Sequence, residues 1–428
     1  MNRNYYVCLV PEKNQRLNFL ILTQYFPPET GAPQNRLLQL ARRLKKHGVN
    51  VVILTAMPNY PQMQVYQGYK GRFYCFEVIE GIPVHRCWIF AGTSKAIIPR
   101  LINYFSFVVT SFMVGMSKLN RQDFVMFESP PLFLGISAWL LSKAKRAKMI
   151  FNVSDLWPES AEKLGLVTNP LLLKLSTWLE EFLYRHSIII SGQTQGIVGN
   201  ISRRFPEKTV IWLKNGVDIA ELTAIAEDPL WRNKNGFGDD DFLLLYAGIL
   251  GHAQGLEVIL RAAKLLEGHP HIKFLLVGSG PVRDQLIAMH NEMNLHNVFF
   301  LENRPKKEVV PIIRTADAAL IPLRKLDLFK GAIPSKIFEN LAFRKPVFLG
   351  VEGEAKELII DQGHAGWAFE PENAADLAEK ISLIASNRPL IMQTGDNGYE
   401  FLRREFDLDQ IAASFLKILH QVISTSKS

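Results

Sequence analysis

The stretch GAIPSKIFENLAFRKPV, Gly331 to Val347, sets Lys336 and Glu339 one turn apart at the opening of an expected helix, among mainly apolar neighbours. A cation in the first turn opposes the helix dipole, so a bound anion explains it better than helix stability does. A carboxylate three residues on shares that face and can accept from two adjacent hydroxyls, such as those of a ribose. These residues predict a nucleoside diphosphate, its phosphates at Lys336 and its ribose at Glu339. The competing reading is a surface ion pair worth roughly 0.2–0.5 kcal/mol. Pro334 and Ser335 read as the helix start, with Ser335 as N-cap.

Two other junctions have the residues to approach phosphate. YAGILGHAQGLE (Tyr246 to Glu257) holds Gly248, Gly251 and Gly255, and LVGSGP (Leu276 to Pro281) holds Gly278 and Gly280. Glycine permits positive φ and close backbone approach, and amides at a helix start attract anions without a metal. Neither junction matches a Walker loop or a complete GxGxxG. His252, beside the first junction, reads either as a phosphate contact or as an ordinary loop histidine. Asp239 and Asp241, like Asp407 and Asp409, have Asp-x-Asp spacing but lie away from these loops and read as solvated acids. His269 and His271 have no third ligand nearby in sequence. No metal or other cofactor is expected.

The elements that position these residues follow one grammar twice. Asn18 to Thr23 and Val49 to Thr55 are apolar strands around an amphipathic helix, a βαβ unit. Strands follow at Phe124 to Phe127, Met149 to Val153, Ser187 to Ser191 and Val210 to Leu213, with a helix from Leu171 to Tyr184. After the polar stretch through Gly238 to Asp241, alternation resumes with strands Phe242 to Tyr246, Lys273 to Val277, Val298 to Leu301, Ala318 to Ile321 and Pro346 to Leu349. Helices are expected from Leu256 to Leu266, from Val282 to Glu292 and from Ser335. Continuous apolar strands imply parallel sheets covered on both faces. The expected class is α/β, two Rossmann-like doubly wound domains facing a cleft. Expected bounds are 1–17 for an N-terminal extension, 18–220, 221–405, and 406–428 for a C-terminal helix that could cross back to the first domain.

A chain of 428 residues with 48% hydrophobic and 21% charged residues can fill two cores and excludes a disordered or fibrous class. Cys8, Cys75 and Cys87 form no CxxC pair, which fits a reducing compartment. The apolar run Tyr5 to Val10 is too short for a signal-peptide core, so a cytoplasmic protein is expected. Residues 1–218 carry 26 Lys and Arg against 13 Asp and Glu, a net +13 within the chain's +8, so the remainder is −5. That asymmetry calls for an acidic partner of the first half or for nothing beyond a solvated basic face; anionic membrane accounts for it without nucleic acid. Leu101 to Ser117 carries no charge and sits between Arg100 and Lys118. It is too polar and short to span, and reads as a helix resting on a bilayer or as a core helix.

Taken together, PSKIFENLAFRKPV, VGSGP, NGVD and YFPPETGA resemble the retaining GT-B glycosyltransferases of family 4, over nearly the whole chain from Asn18. QYFPPE, SDLWPES, GHAQGLE and PSKIFE are most similar to the N-acetyl-fucosamine-transferase-like branch from bacterial surface polysaccharide clusters. The resemblance implies that Glu339 is the second glutamate of a Glu-x7-Glu motif and binds the donor's ribose. It implies that Gly248 and Gly251 face the diphosphate, that Gly278 and Gly280 lie beside the nucleotide, and that Asn303 and Arg304 meet the base. Gly31 would lie on the first domain's loop over the phosphates or acceptor. Gly331 stands where the first glutamate belongs, so Lys330 or backbone must replace it. The family's basic pair falls near Ile249 and Gln254, leaving Lys336 or Arg324 to carry its charge. Ser154-Asp155 occupies the place of a family histidine, and Asp155 takes that role unless it merely caps a helix near Pro158; Glu159 could assist, and Trp157 is expected to pack. The implied reaction moves an N-acetylated hexosamine or 6-deoxyhexosamine from UDP to a lipid-linked saccharide, with retention and without metal, by a peripheral enzyme on the inner face of the plasma membrane. Two alternatives stay open: a nucleotide-sugar epimerase of the same fold, and an inactive scaffold of a polysaccharide assembly complex.

Overall fold

A computed structural model describes residues 16–29, 31–60, 63–92, 97–163 and 169–425. The chain packs as two compact units: residues 16–193, 197–213 and 416–425 form the first, and 194–196 with 214–415 the second. The expected extension at 1–17 lies almost entirely outside the described residues.

Among the described residues, eight strands build the first unit's sheet: β1 (Asn18–Leu22), β2 (Asn50–Ala56), β3 (Tyr74–Ile79), β4 (Ile82–Cys87), β5 (Phe124–Ser129), β6 (Lys148–Val153), β7 (Ile189–Gly192) and β8 (Thr209–Trp212). Their order is β3-β4-β2-β1-β5-β6-β7-β8, parallel except where β3 returns antiparallel to β4. The central strands are buried on both faces because their runs are mainly apolar; β5 is buried at every position, Glu128 included. The hairpin of β3 and β4 is absent from the expected elements. Its turn is Glu80-Gly81, with φ of 51° and 74°, the left-handed pair a two-residue hairpin needs.

Helices α1 (Ala32–Lys46), α2 (Ile97–Lys118), α3 (Leu134–Ala144), α4 (Glu159–Lys163) and α5 (Pro170–His186) follow the strands. Asn169 caps α5 by accepting from the amides of Leu171 and Leu172. Helix α3 packs against both α2 and α5. No helix among the described residues is long and apolar enough to cross a membrane. Cys75 and Cys87 are free thiols; Cys8 lies outside the described residues.

The second unit has β9 (Phe242–Ala247), β10 (Ile272–Val277), β11 (Val298–Leu301), β12 (Ala318–Pro322), β13 (Val347–Gly350) and β14 (Gly366–Ala368). Every pairing in the order β11-β10-β9-β12-β13-β14 is parallel. Its core joins Phe242, Leu244, Phe274, Leu276, Leu320 and Phe348 with the helix Glu257–Leu265. The expected strands are all present within a residue or two, and β14 is additional.

Candidate functional site

The short helix Lys336–Leu341 follows β12 and buries Ile337, Phe338, Asn340 and Leu341. That leaves Lys336 and Glu339 on its other side. The Lys336 ammonium lies 3.9 Å from the centroid of the Tyr246 ring, at the end of β9. A Cβ built on Gly248 would stand 3.0 Å from Nζ, so glycine there leaves room for the cation. The Tyr246 hydroxyl donates to the Ile249 carbonyl at 2.6 Å and holds this loop in place. Burial lowers the Lys336 pKa from 10.5 to about 8, against a weaker opposing pull from Glu339. Burial likewise raises the Glu339 carboxyl, with Lys306 and Lys336 pulling the other way. Neither side chain has a hydrogen-bond or ion-pair partner among the described residues. Two desolvated, opposite charges without local partners form a place that a charged, hydroxylated ligand can complete.

The glycines do more than free the loops for a ligand. A Cβ on Gly278 would lie 1.9 Å from the Gly248 carbonyl oxygen, and one on Gly280 would lie 2.3 Å from that of Leu250. The two loops are laced together: the Gly248 amide donates to Val277 O (2.9 Å), the Leu250 amide to Ser279 O (2.9 Å) and the Val282 amide to Leu250 O (3.1 Å). The missing Cβ atoms of Gly278 and Gly280 therefore face the neighbouring loop, so close packing of the two loops is itself a reason for glycine at both positions. Gly251 is extended, at φ −120°, and what a Cβ there would meet is the Gln254 side chain.

One expectation in this unit is corrected. Ser335 does not cap: its backbone is already helical, its hydroxyl makes no capping bond, and the Ile337 amide donates to Pro334 O. Arg324 is held in place, because its Nε donates to His252 O (2.7 Å) and its two terminal nitrogens to Glu257 and Glu372 (3.0 Å each). It straps the β12 loop to the β9 loop, and these bonds use three of its five N–H donors. Lys330 is exposed and paired with Asp327 at 2.7 Å. Asn303 is exposed, and Arg304 pairs with Glu308 on the helix Lys306–Thr315.

In the first unit, a polar network missed by the sequence reading lies at the carboxyl ends of β5, β6 and β7. Buried Glu128 accepts from Arg36 of α1, from Ser154 and from Asn152. Ser154 Oγ also accepts from Arg36 (2.9 Å) and Gln193 (2.5 Å), and Ser191 donates to Asn152 (2.7 Å). Carboxyl ends of parallel strands are where such sheets hold ligands. The available signal was a lone charge in the apolar run of β5.

Asp155, just beyond this network, is exposed and accepts from the Ser160 hydroxyl in α4. Trp157 packs edge-on against Phe133 at 5.7 Å, as expected. Gly31 is extended at φ 171° where α1 begins, so nothing there is strained. Asp407 accepts from the Asp409 and Gln410 amides and starts a helix, while the Asp241 carboxylate accepts from the Gly238 amide. Among the described residues, no three His, Cys, Asp or Glu side chains converge as metal ligands would.

Residues 31–215 match the glycosyl transferase 4-like domain and residues 227–401 the glycosyl transferases group 1. The chain is a GT-B glycosyltransferase. A relative of this glycosyltransferase is Escherichia coli WcaI, named for colanic acid biosynthesis, 25% identical over 391 residues, or 88% of this chain and 93% of that protein. Another is the Campylobacter jejuni N,N'-diacetylbacillosaminyl-diphospho-undecaprenol alpha-1,3-N-acetylgalactosaminyltransferase, 26% identical over 45% of this chain and 48% of its own length. Among solved structures, Anabaena HepE in complex with UDP superposes with a TM-score of 0.68 over 95% of this chain and 100% of that one, at 16% identity. At that identity the likeness speaks for the fold.

Proposed function

We propose that this glycosyltransferase moves an N-acetylated hexosamine or 6-deoxyhexosamine from UDP to a lipid-diphosphate-linked saccharide, with retention, during assembly of a bacterial cell-surface polysaccharide. The observation that carries the reading is the desolvated pair of Lys336 and Glu339 beside Tyr246 and Gly248, with no hydrogen-bond or ion-pair partner among the described residues. In this reading Lys336 takes the diphosphate and Glu339 the ribose diol, while the first unit takes the acceptor, with Asp155 contacting its hydroxyl or the transferred sugar. The named substrates of the Campylobacter relative and the UDP held by HepE support a nucleotide sugar and a lipid-linked acceptor. The name of WcaI supports a polysaccharide setting.

Retention needs no strong protein base. The bond from the anomeric carbon to the UDP oxygen breaks, a bond to the acceptor oxygen forms on the same face, and the acceptor's proton passes to the leaving diphosphate. The protein stabilises the leaving group's charge and aligns the acceptor. No metal enters this scheme.

The test is thermal stability against a panel of nucleotides, followed by transfer of labelled sugar to lipid extract. UDP at about 100 times its Kd adds about 2.7 kcal/mol, and Glu339→Gln weakens UDP by about 1.5–3 kcal/mol but 2′,3′-dideoxy-UDP hardly at all. No shift with any nucleotide overturns the donor site. A new sugar epimer formed without acceptor makes the protein an epimerase instead.

A further inference from the structure

Helix α2 is apolar on the wrong side for a soluble surface. Its inward side chains include polar ones, each bonded within the unit: Asn103 to Phe90 O and Gln24, Thr110 to Trp88 O, and Ser111 to Ser137 of α3. Its outward side chains are Ile102, Phe105, Val109, Met113 and Met116, each 42–57% exposed. At 3.6 residues per turn these five fall within an arc of about 80° and run about 21 Å along the helix. They form one continuous apolar stripe, which monomeric soluble surfaces rarely show.

The charges on α2 itself have one sign. Residues 97–118 contain no Asp or Glu. Exposed Arg100 stands near one end, and exposed Lys118 and Arg121 at the other. Lys145 Nζ donates to Met116 O and Leu119 O at that second end. On α5, Leu171, Leu175 and Trp178 add a second exposed apolar row at i, i+4 and i+7. An apolar face bordered by cations is the pattern of a surface that lies in the interface of an anionic bilayer.

We infer that the outer face of α2 seats this glycosyltransferase on an anionic membrane, with Ile102, Phe105, Val109, Met113 and Met116 in the headgroup–acyl boundary. The inference deepens the proposed use of a lipid-linked acceptor and rests on it for its purpose. An aromatic track supplies the link: Phe105 meets Phe133 at 4.9 Å, and Phe133 meets Trp157 at 5.7 Å, two residues beyond Asp155. A saccharide head carried by a lipid in that bilayer then lies beside the loop assigned to the acceptor.

The experiment is flotation of the full chain with vesicles of phosphatidylglycerol and phosphatidylcholine, and with phosphatidylcholine alone. Wild type is expected to float with the anionic vesicles and several-fold less with the neutral ones. The variant Phe105→Glu/Val109→Glu/Met113→Glu is expected to partition about a hundredfold more weakly while keeping the wild-type thermal shift with UDP. That shift certifies the fold and reads the donor site separately, so its loss in wild type refutes the nucleotide reading and leaves docking standing. Equal flotation of variant and wild type overturns the inference. So does a wild-type dimer that ignores vesicles and that the variant dissolves, because the stripe then covers a second copy of the chain. Equal binding to neutral vesicles overturns the anionic assignment.

Discussion

Replacing Lys336 by Met separates a binding residue from a structural one, because the two roles predict opposite signs. Lowering the ammonium from 10.5 to about 8 corresponds to about 3 kcal/mol, at about 1.4 kcal/mol per pKa unit. The unfolded lysine stays protonated up to 10.5 and the folded one only to about 8. Between those values the folded state binds fewer protons, so stability rises with pH through that window and the full cost is present below it. The cation–π contact with Tyr246 offsets about 1 kcal/mol, so Lys336→Met should gain about 2 kcal/mol at neutral pH. Affinity should move the other way: a charge-assisted bond of about 1.5–3 kcal/mol is lost, a Kd weaker by about tenfold to a hundredfold. In wild type a bound diphosphate pulls the ammonium back toward its ordinary value. UDP affinity should then fall above pH 8 by up to about tenfold per pH unit, a slope that the Met variant lacks. Urea unfolding gives the stability and titration calorimetry with UDP the affinity. A Met variant that is less stable at neutral pH and binds UDP as wild type does would refute the reasoning.

Gly278→Ala should cost about 2–4 kcal/mol, because its Cβ meets the Gly248 carbonyl and its φ is 147°. Gly331→Ala, with nothing within 4 Å, should stay within about 0.5 kcal/mol; equal losses in melting temperature would remove the packing explanation. Glu128→Ala removes the buried carboxylate that Arg36, Asn152 and Ser154 share and should cost about 3–5 kcal/mol in urea unfolding. Adding Arg36→Met should restore part of that, and no recovery would mean that the network is not governed by charge.

The strands could be read from the sequence because parallel sheets bury continuous apolar runs, and Phe242 to Tyr246 could be little else. The β3–β4 hairpin could not be read as readily, since Glu77, Glu80 and Arg86 interrupt its pattern, and Arg86 is nevertheless fully buried against Glu77 and backbone carbonyls. Lys336 stood out because a helix start disfavours a cation. Glu128 did not, because its partners arrive from α1, β6 and the residue after β6, and no spacing announces that convergence. The partners of Arg324 were hidden for the same reason: Glu257 and Glu372, 67 and 48 residues away, pair with a side chain that local sequence leaves unassigned. Ser335 was misplaced by one step, because Pro334 already begins the turn.

With the donor site as proposed, the lacing of the β9 and β10 loops bears on how fast and how tightly a nucleotide is captured. With carbonyl oxygens where side chains would stand, neither loop can shift without dragging the other, so this wall is preorganised. An arriving ligand then loses its own freedom but spends little on ordering the protein here. Differences in residence time between nucleotides should therefore originate in the more exposed surroundings of Asn303 and Arg304, not along this seam.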